Sequence, residues 1–433
     1  MQVNMYNVDF GDCFLICGEK ENLLVDFGSD NPHCDITAVA KHIKVTSGDK
    51  DLSCLISHFH EDHMSGFLQG LLNAKNVYIP DVVAMSKTVG KLSFLQLSIL
   101  SDIFKWIPVR QKRGLSITLY DLLLKICDHN SYVYFLQRGT NFTISKKEYQ
   151  VLWPDLSALT IHGRVERRIV DTLAKLGLIS QQIAKECKYP SKGEKSRQLI
   201  VNEVYPKDPL PIALIDPFIN KLIEGYTALV NTDQPNQSFD KTQLQTAYEK
   251  MVEDIKVALG NITESTFAKG NLKQDLSELR ESMKKQANKY SVVFHDTPEN
   301  GVSSILMTGD ITPPEFNKLL MHRVSGIPQI SMSYNIIKAP HHGTTTYFTP
   351  YLPKCGVIMA SNGKPNRGHG SWHKICYRYG SFYQSHKRVK MLCSNLRCDL
   401  RDLPGTPNCN NCGDQNYVWN GDSVAIISSF CNH

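Results

Sequence analysis

The sequence predicts an α/β fold of layered sheets and helices, interrupted by a mostly helical insertion and closed by a Cys-rich C-terminal segment. Three observations carry that expectation. Over residues 1–156, and again from 288, short apolar runs that end at Gly, Asp or His alternate with helical patterns. That alternation belongs to a domain whose strands and helices occupy separate layers. Across 157–287 the spacing turns helical, and Lys, Glu and Gln become frequent. Residues 391–433 then hold five cysteines. The chain reads as a first half-domain (1–156), an insertion (157–287), a second half-domain (288–390) and a Cys-rich tail (391–433).

Each element has its own signal. "MQVNMYNV" alternates, "GDCFLIC" is a short apolar run, and "NLLVDFG" is another that ends in Gly; together they read as strand, turn and strand. "DLSCLISH" is a fourth strand that stops at a histidine cluster. "MSGFLQGLLNA" has helical spacing, and "NVYIP" returns to strand. Residues 84–125 carry helical patterns, "LSFLQLSILSDIFKWI" among them, before "NSYVYFLQRG", "TNFTI" and "EYQVLWP" resume strands. In the insertion, "RRIVDTLAKLGLISQQIAKECK", "LQTAYEKMVEDIKVALGN" and "NLKQDLSELRESMKKQA" are helical, with the polar linker "NTDQPNQSFDKT" between them. "YSVVFHDT" and "SSILMTGD" are strands again. "PPEFNKLLMHR" is a helix with prolines at its start, where a missing N–H does no harm. "YNIIKAPHHG", "CGVIMASNG" and "DSVAIISSF" complete the strands.

Composition bounds the function classes. The chain has 433 residues, 42% hydrophobic and 21% charged, which argues against wholesale disorder. That length exceeds what one core needs, so one large domain with an insertion, or two to three domains, is expected. A net charge of +6 suits a polyanionic substrate without requiring one. "MQVNMYNVDFGDCFLIC" lacks a basic n-region followed by an apolar h-region. No apolar run reaches the ~20 residues that span a bilayer. A soluble, cytoplasmic protein without membrane partners is therefore expected. Its thirteen cysteines, an odd number scattered through apolar segments, read as reduced thiols.

Chemistry concentrates in "LISHFHEDHMSG", residues 55–66. His58 and His60 lie two apart, so extended or looped backbone points them the same way. Asp62 and His63 follow at once. One short segment can thus offer two imidazoles to one metal ion and an Asp–His pair to a neighbouring ion. Five ionisable groups at a strand end are costly unless solvated or metal-bound. A pair of ions needs a shared acidic bridge from elsewhere in the chain. Asp310 ends one later strand, His341 and His342 end another, and His369 lies in "NGKPNRGHG". Read singly, each of these also fits an ordinary polar turn.

The set of motifs resembles the metallo-β-lactamase superfamily, whose HxHxDH signature is matched by "HFHEDH" at 58–63. More of the chain is similar to one branch, the ComEC-like competence-protein hydrolase domains. "VDFGDCFLI", "LLVDFG", "NKYSVVF", "TGD" at 308–310, "HHG" at 341–343 and "NRGHG" follow in that branch's order, over 3–87, 148–156 and 288–373. The resemblance implies an αββα sandwich and a hydrolase with a binuclear Zn²⁺ or Mn²⁺ site. It implies that His58 and His60 bind the first metal, Asp62 and His63 the second, and that Asp310 bridges them. One of His341 and His342 would complete a coordination sphere, its neighbour supporting it or touching substrate. Many members carry another histidine ligand before the bridging aspartate. Here that interval holds only His129, His162 and His295, none in a "GH" turn, so His369 is expected to fill the role.

Such a site makes hydroxide available near neutral pH and counters developing negative charge, with Asp62 or Asp310 orienting the nucleophile. The resemblance tilts the substrate toward phosphodiesters and DNA: a stand-alone nuclease, acting in defence against foreign DNA, including phage DNA. Thr344, Thr345, Lys364 and Arg367 are candidate phosphate contacts or simply solvated loop residues. Two alternatives stand beside the nuclease: a hydrolase of a small ester, lactone or cyclic nucleotide, and a non-catalytic binding module with a structural metal. The insertion would be a cap, a homodimer element or a partner-docking surface. Cys393, Cys398, Cys409 and Cys412 form two closely spaced pairs that suit an additional structural Zn²⁺, or four free thiols.

Overall fold

The computed structural model describes residues 1–70, 73–81, 94–107, 118–129, 131–156, 216–224, 241–260, 272–321, 329–362, 390–394 and 415–427, with single positions between 165 and 175. The chain divides into two compact units. Met1–Asp81, Lys125–Ala158 and Asn288–His433 form the first, and Val82–Leu124 and Leu159–Ala287 the second.

The described strands are β1 (Gln2–Tyr6), β2 (Cys13–Cys17), β3 (Glu21–Phe27), β4 (Asp51–Leu55), β5 (Asn76–Pro80), β6 (Tyr132–Leu136), β7 (Asn141–Ile144), β8 (Lys147–Trp153), β9 (Val293–Asp296), β10 (Val302–Met307), β11 (Ser333–Lys338), β12 (Lys354–Ala360), β13 (Lys390–Cys393), β14 (Gln415–Trp419) and β15 (Asp422–Ile427). The helices are α1 (Ile36–Ser47), α2 (Glu61–Gln69), α3 (Phe94–Trp106), α4 (Thr118–Asp128), α5 (Lys241–Gly260), α6 (Leu272–Asn288) and α7 (Pro313–Met321).

The first unit is α/β, with two mixed sheets. One runs β14-β15-β1-β2-β3-β4-β5-β6 and the other β13-β12-β11-β10-β9-β8-β7. β3 to β6 are parallel neighbours in the first sheet, and β10 to β13 in the second. Buried parallel strands need apolar side chains on both faces, and the burial pattern of β12 is continuous from Gly356 to Ala360. Edge strands alternate instead: in β7, Phe142 and Ile144 are buried while Asn141 and Thr143 are exposed.

The two sheets share one apolar core. Phe14, Val25, Leu55 and Tyr78 of the first sheet cluster with Phe294, Ile305, Ile336 and Met359 of the second. The Phe142 ring links the layers, 4.7 Å from Tyr78 and 5.5 Å from Phe294. On the far side of β3, Phe67 of α2 meets Phe27 edge-on at 5.8 Å. Gly66 lets that helix approach, because a Cβ there would run into the Phe27 ring. β14 and β15 form a hairpin over Asn420 and Gly421, whose φ values of 48° and 82° suit a tight turn. Of these two strands, only β15 is expected from the sequence.

In the second unit, Tyr120 stacks on Tyr248 at 4.1 Å and meets Phe218 at 5.5 Å. Arg168 pairs with Glu278 at 3.0 Å. No helix among the described residues is long and apolar enough to cross a membrane.

Candidate metal centre

Loops at one edge of the two sheets build the site. Asp12 lies between β1 and β2. Asp26 is near the end of β3, and Ser57 to His60 follow β4. Asp62 and His63 occupy the first turn of α2, which starts three residues before the helical run expected from sequence at Met64. Asp310 follows β10, and Lys338, His341 and His342 come from the end of β11 and the turn after it. Glycines allow these segments to interlock. A Cβ at Gly28 would sit 2.5 Å from the Glu61 carbonyl oxygen and 2.6 Å from the His63 nitrogen. The Asp12 amide donates to the Asp62 carbonyl (3.0 Å), and the Gly28 amide donates to the Asp12 carbonyl (3.1 Å).

Asp310 Oδ2 is the focus. It lies 3.2 Å from His63 Nε2, 3.7 Å from His341 Nε2, 3.7 Å from His342 Nε2 and 3.8 Å from His58 Nε2. His60 Nδ1 is 2.9 Å from His58 Nε2, and Asp62 Oδ2 is 3.2 Å from His342 Nε2. His58, His63, His342, Asp12 and Asp310 are at most 1% exposed, whereas Asp62 and His341 are 17% and 22% exposed and mark the open side. Asp12, His63, Asp310 and His342 offer ligand atoms all within 4.8 Å of one another, so this buried group could hold a metal ion.

What stands behind each ring decides which nitrogen faces inward. Asp26 Oδ2 accepts from His63 Nδ1 at 2.9 Å. It also accepts from the Ser57 hydroxyl at 2.7 Å, and its Oδ1 accepts from the Ser57 amide. Ser57 has then used its one proton, so its lone pairs face His58 Nδ1 at 3.1 Å and favour a proton there. Asp12 Oδ1 accepts from His342 Nδ1 at 2.9 Å. With Nδ1 of His58, His63 and His342 held by these acceptors, Nε2 is the ring nitrogen turned toward Asp310. Carboxylates placed behind imidazoles in this way fix the ring and raise its basicity toward a metal. Asp12 touches its imidazoles at Nδ1, so within the four-residue group it acts from behind and the other three face inward.

His341 is held differently. Thr344 Oγ1 lies 2.8 Å from its Nδ1, and Tyr347 stacks on the ring at 3.9 Å and 8°. His341 and His342 both have left-handed backbone, with φ of 47° and 55°. For residues with a Cβ this costs on the order of 1–2 kcal/mol each, and such strain gathers at working sites.

The electrostatics of the chain follow. Burial disfavours a charged imidazole, but Asp12 and Asp310 outweigh it at His342 and push it up to about 9. His63 also rises well above its ordinary value, against its burial, because Asp310, Asp26 and Asp62 surround it. At His341 burial prevails over Asp310, and the ring falls to about 4. His58 falls well below its ordinary range through burial, with His63 and His60 adding to it. Asp310 and Asp62 stay low despite burial, chiefly through His63. The cluster collects positive charge wherever it can be seated.

The structure therefore brings together seven of the residues singled out from sequence: His58, His60, Asp62, His63, Asp310, His341 and His342. His369, Lys364, Arg367, Cys398, Cys409 and Cys412 lie outside the described residues, as does His162. Cys393 is buried at the end of β13. Thr344 reaches His341, and Thr345 opens a short 3₁₀ turn. His129 is exposed at the end of α4. His295 is buried in β9 and bonded to Tyr334 and Gln150.

Sequence reasoning missed Asp12, Asp26 and Lys338. Asp12 and Asp26 sit inside "FGD" and "DFG", which read alone as ordinary turns; the signal that could have found them is that "VDFGDCFLI" and "LLVDFG", two segments of the resemblance, contain them. Lys338 ends an apolar strand, an unusual place for an amine that is rarely buried without a partner. Comparison with protein-family models, with curated proteins and with solved structures found no match.

Proposed function

We propose that this chain is a metal-dependent hydrolase of the metallo-β-lactamase type, related to the competence-protein branch, that cleaves phosphodiesters in DNA. One observation carries the reading: a buried carboxylate oxygen faces four imidazole Nε2 atoms at 3.2 to 3.8 Å. Three of those rings have their Nδ1 turned to an acceptor. Held at Nδ1, these rings turn Nε2, the nitrogen that a metal ion would take, toward one carboxylate oxygen. Nitrogen and oxygen donors of this kind suit Zn²⁺ or Mn²⁺.

His58, His60 and His341 would hold one ion and Asp62, His63 and His342 the other, with Asp310 common to both. Two divalent ions there would supply an acidified water and a counter-charge for phosphoryl oxygens. Asp62, on the open side, is placed to orient the attacking water. Asp26, Ser57 and Asp12 hold the imidazoles against rotation. The half-buried Phe10 ring packs against His342 at 4.6 Å. The order of the motifs and the net charge of +6 support a polyanionic substrate.

The test is incubation of the full chain with labelled single- and double-stranded DNA and RNA, with Mn²⁺ or Zn²⁺, beside Asp310→Ala. DNA degradation that disappears in Asp310→Ala is expected. A metal-loaded protein that leaves every nucleic acid intact while opening a small ester or lactone overturns the nuclease reading.

A further inference from the structure

We propose that Lys338 is a positioning residue of the centre, a buried ammonium that sets the orientation of Asp12 and Asp310 together. The proposal rests on the metal-centre reading above and adds to it a role for a residue that touches neither ion nor substrate.

Lys338 is 1% exposed at the end of β11. Its Nζ lies 2.5 Å from Asp12 Oδ2 and 3.4 Å from Asp310 Oδ1, and donates to the Gly309 carbonyl at 2.8 Å. An ammonium has three protons, and three acceptors surround this one. At 1% exposure among these groups, the ammonium is closed off from the open side of the site.

The division of oxygens gives the role its content. Asp12 turns Oδ2 to Lys338 and Oδ1 to His342 Nδ1. Asp310 turns Oδ1 to Lys338 and Oδ2 to the four imidazoles. Rotating either carboxylate would break its contact with the ammonium. One cation therefore fixes the plane of the Asp310 carboxylate, so that one oxygen faces the four imidazoles, and holds the acceptor that keeps His342 Nε2 inward. Lys338 also ties the loops that carry these groups: the Gly309 carbonyl accepts from both Lys338 Nζ and the His341 amide, at 2.8 and 3.2 Å.

A lysine that served only to balance charge would act in the opposite direction. Removing a positive charge beside a cation site strengthens cation binding by simple electrostatics. Loss of positioning weakens it.

The experiment is competition of the full-length protein with a chromophoric chelator for Zn²⁺. It compares wild type, Lys338→Met, and Lys338→Met combined with Asp12→Asn. The double variant removes one charge of each sign, leaves the net charge of the centre unchanged and avoids a stranded buried carboxylate. Positioning predicts Zn²⁺ affinity lower by roughly 10–100-fold in both variants, the range seen when supports behind metal ligands are removed. Asp12→Asn alone is the reference for the double variant, because Asp12 itself supports His342 from behind. Should Lys338→Met fail to fold, Lys338→Arg, which keeps the charge but not the geometry, carries the test, and an unchanged Zn²⁺ affinity there overturns the proposal. Tighter binding in Lys338→Met, or binding in the double variant equal to that of Asp12→Asn, also overturns it. A wild-type chain that binds no Zn²⁺ overturns the centre itself and this role with it.

Discussion

Asp26 accepts three hydrogen bonds, from the Ser57 amide, the Ser57 hydroxyl and His63 Nδ1. It thereby orients two imidazoles, one directly and one through Ser57. Asp26→Asn keeps the shape but replaces an oxygen by an N–H donor or weakens the acceptor. Affinity for Zn²⁺ is expected to fall roughly 10–100-fold, read by chelator competition. Asp62 is at the open side and is 17% exposed. Asp62→Asn is expected to lower Zn²⁺ affinity and, with it, cleavage by about 10²-fold or more; affinity and rate equal to wild type would remove Asp62 from the centre. Residue identity was legible in sequence where several ionisable groups were crowded, as at His58–His63. It was not legible at Asp12 and Asp26, because a single aspartate beside a glycine has the same appearance in a turn and in a site. Their roles arise only when three loops meet, and no spacing within one segment encodes that.

At the scale of elements, the histidine loop is fixed by backbone contact. Gly28→Ala would drive a Cβ into the Glu61 carbonyl and the His63 amide. Overpacking of this kind costs about 1–3 kcal/mol, and here it also displaces His63, so both thermal stability and Zn²⁺ binding are expected to fall together.

Away from the site, β9 carries His295, buried between the Tyr334 hydroxyl (2.9 Å) and Gln150 Oε1 (3.3 Å). The Tyr334 hydroxyl accepts from the Ser331 amide, so its proton points to His295 Nδ1, and the neutral Nε2–H form fits. Burial lowers this imidazole to about 4. Its folded value lies below the unfolded one, so the unfolded chain binds the extra proton first. The associated stability is complete above about pH 6.5 and is lost as pH falls toward 4, by on the order of 3 kcal/mol. Denaturant unfolding across that range should show the loss, and His295→Gln should flatten it; an unchanged slope would contradict it. Strands that are short apolar runs ending at Gly, Asp or His, β3, β4 and β10 to β12, were legible from sequence. The start of α2 was hidden, because Glu61 to His63 reads as loop chemistry while it also forms a helical turn. β14 was hidden because it gains its place by pairing with β15.

In the first unit as a whole, the two sheets bring residues some 250 positions apart to one oxygen atom. The shared core of Phe14, Val25, Phe294 and Ile336 holds His58 of one sheet against Asp310 of the other. The layered α/β class was legible because burial dictates the apolar periods. The juxtaposition of the two sheet edges was expected only through the resemblance, since periodicity says which face is buried and not which sheet covers it. A ligand that binds only the folded form stabilises it, by about 2.7 kcal/mol when free ligand exceeds Kd a hundredfold. EDTA is therefore expected to lower the Tm of wild type and to leave Asp310→Asn nearly unmoved, as read by calorimetry.

The measurement to make first is the divalent metal content of the full-length protein, by elemental mass spectrometry after equilibration with Zn²⁺ or Mn²⁺ and removal of free ion. A shared Asp310 oxygen predicts two ions per chain in wild type and their loss in Asp310→Asn. A folded wild-type chain that retains no divalent ion would contradict the centre and the hydrolytic function drawn from it.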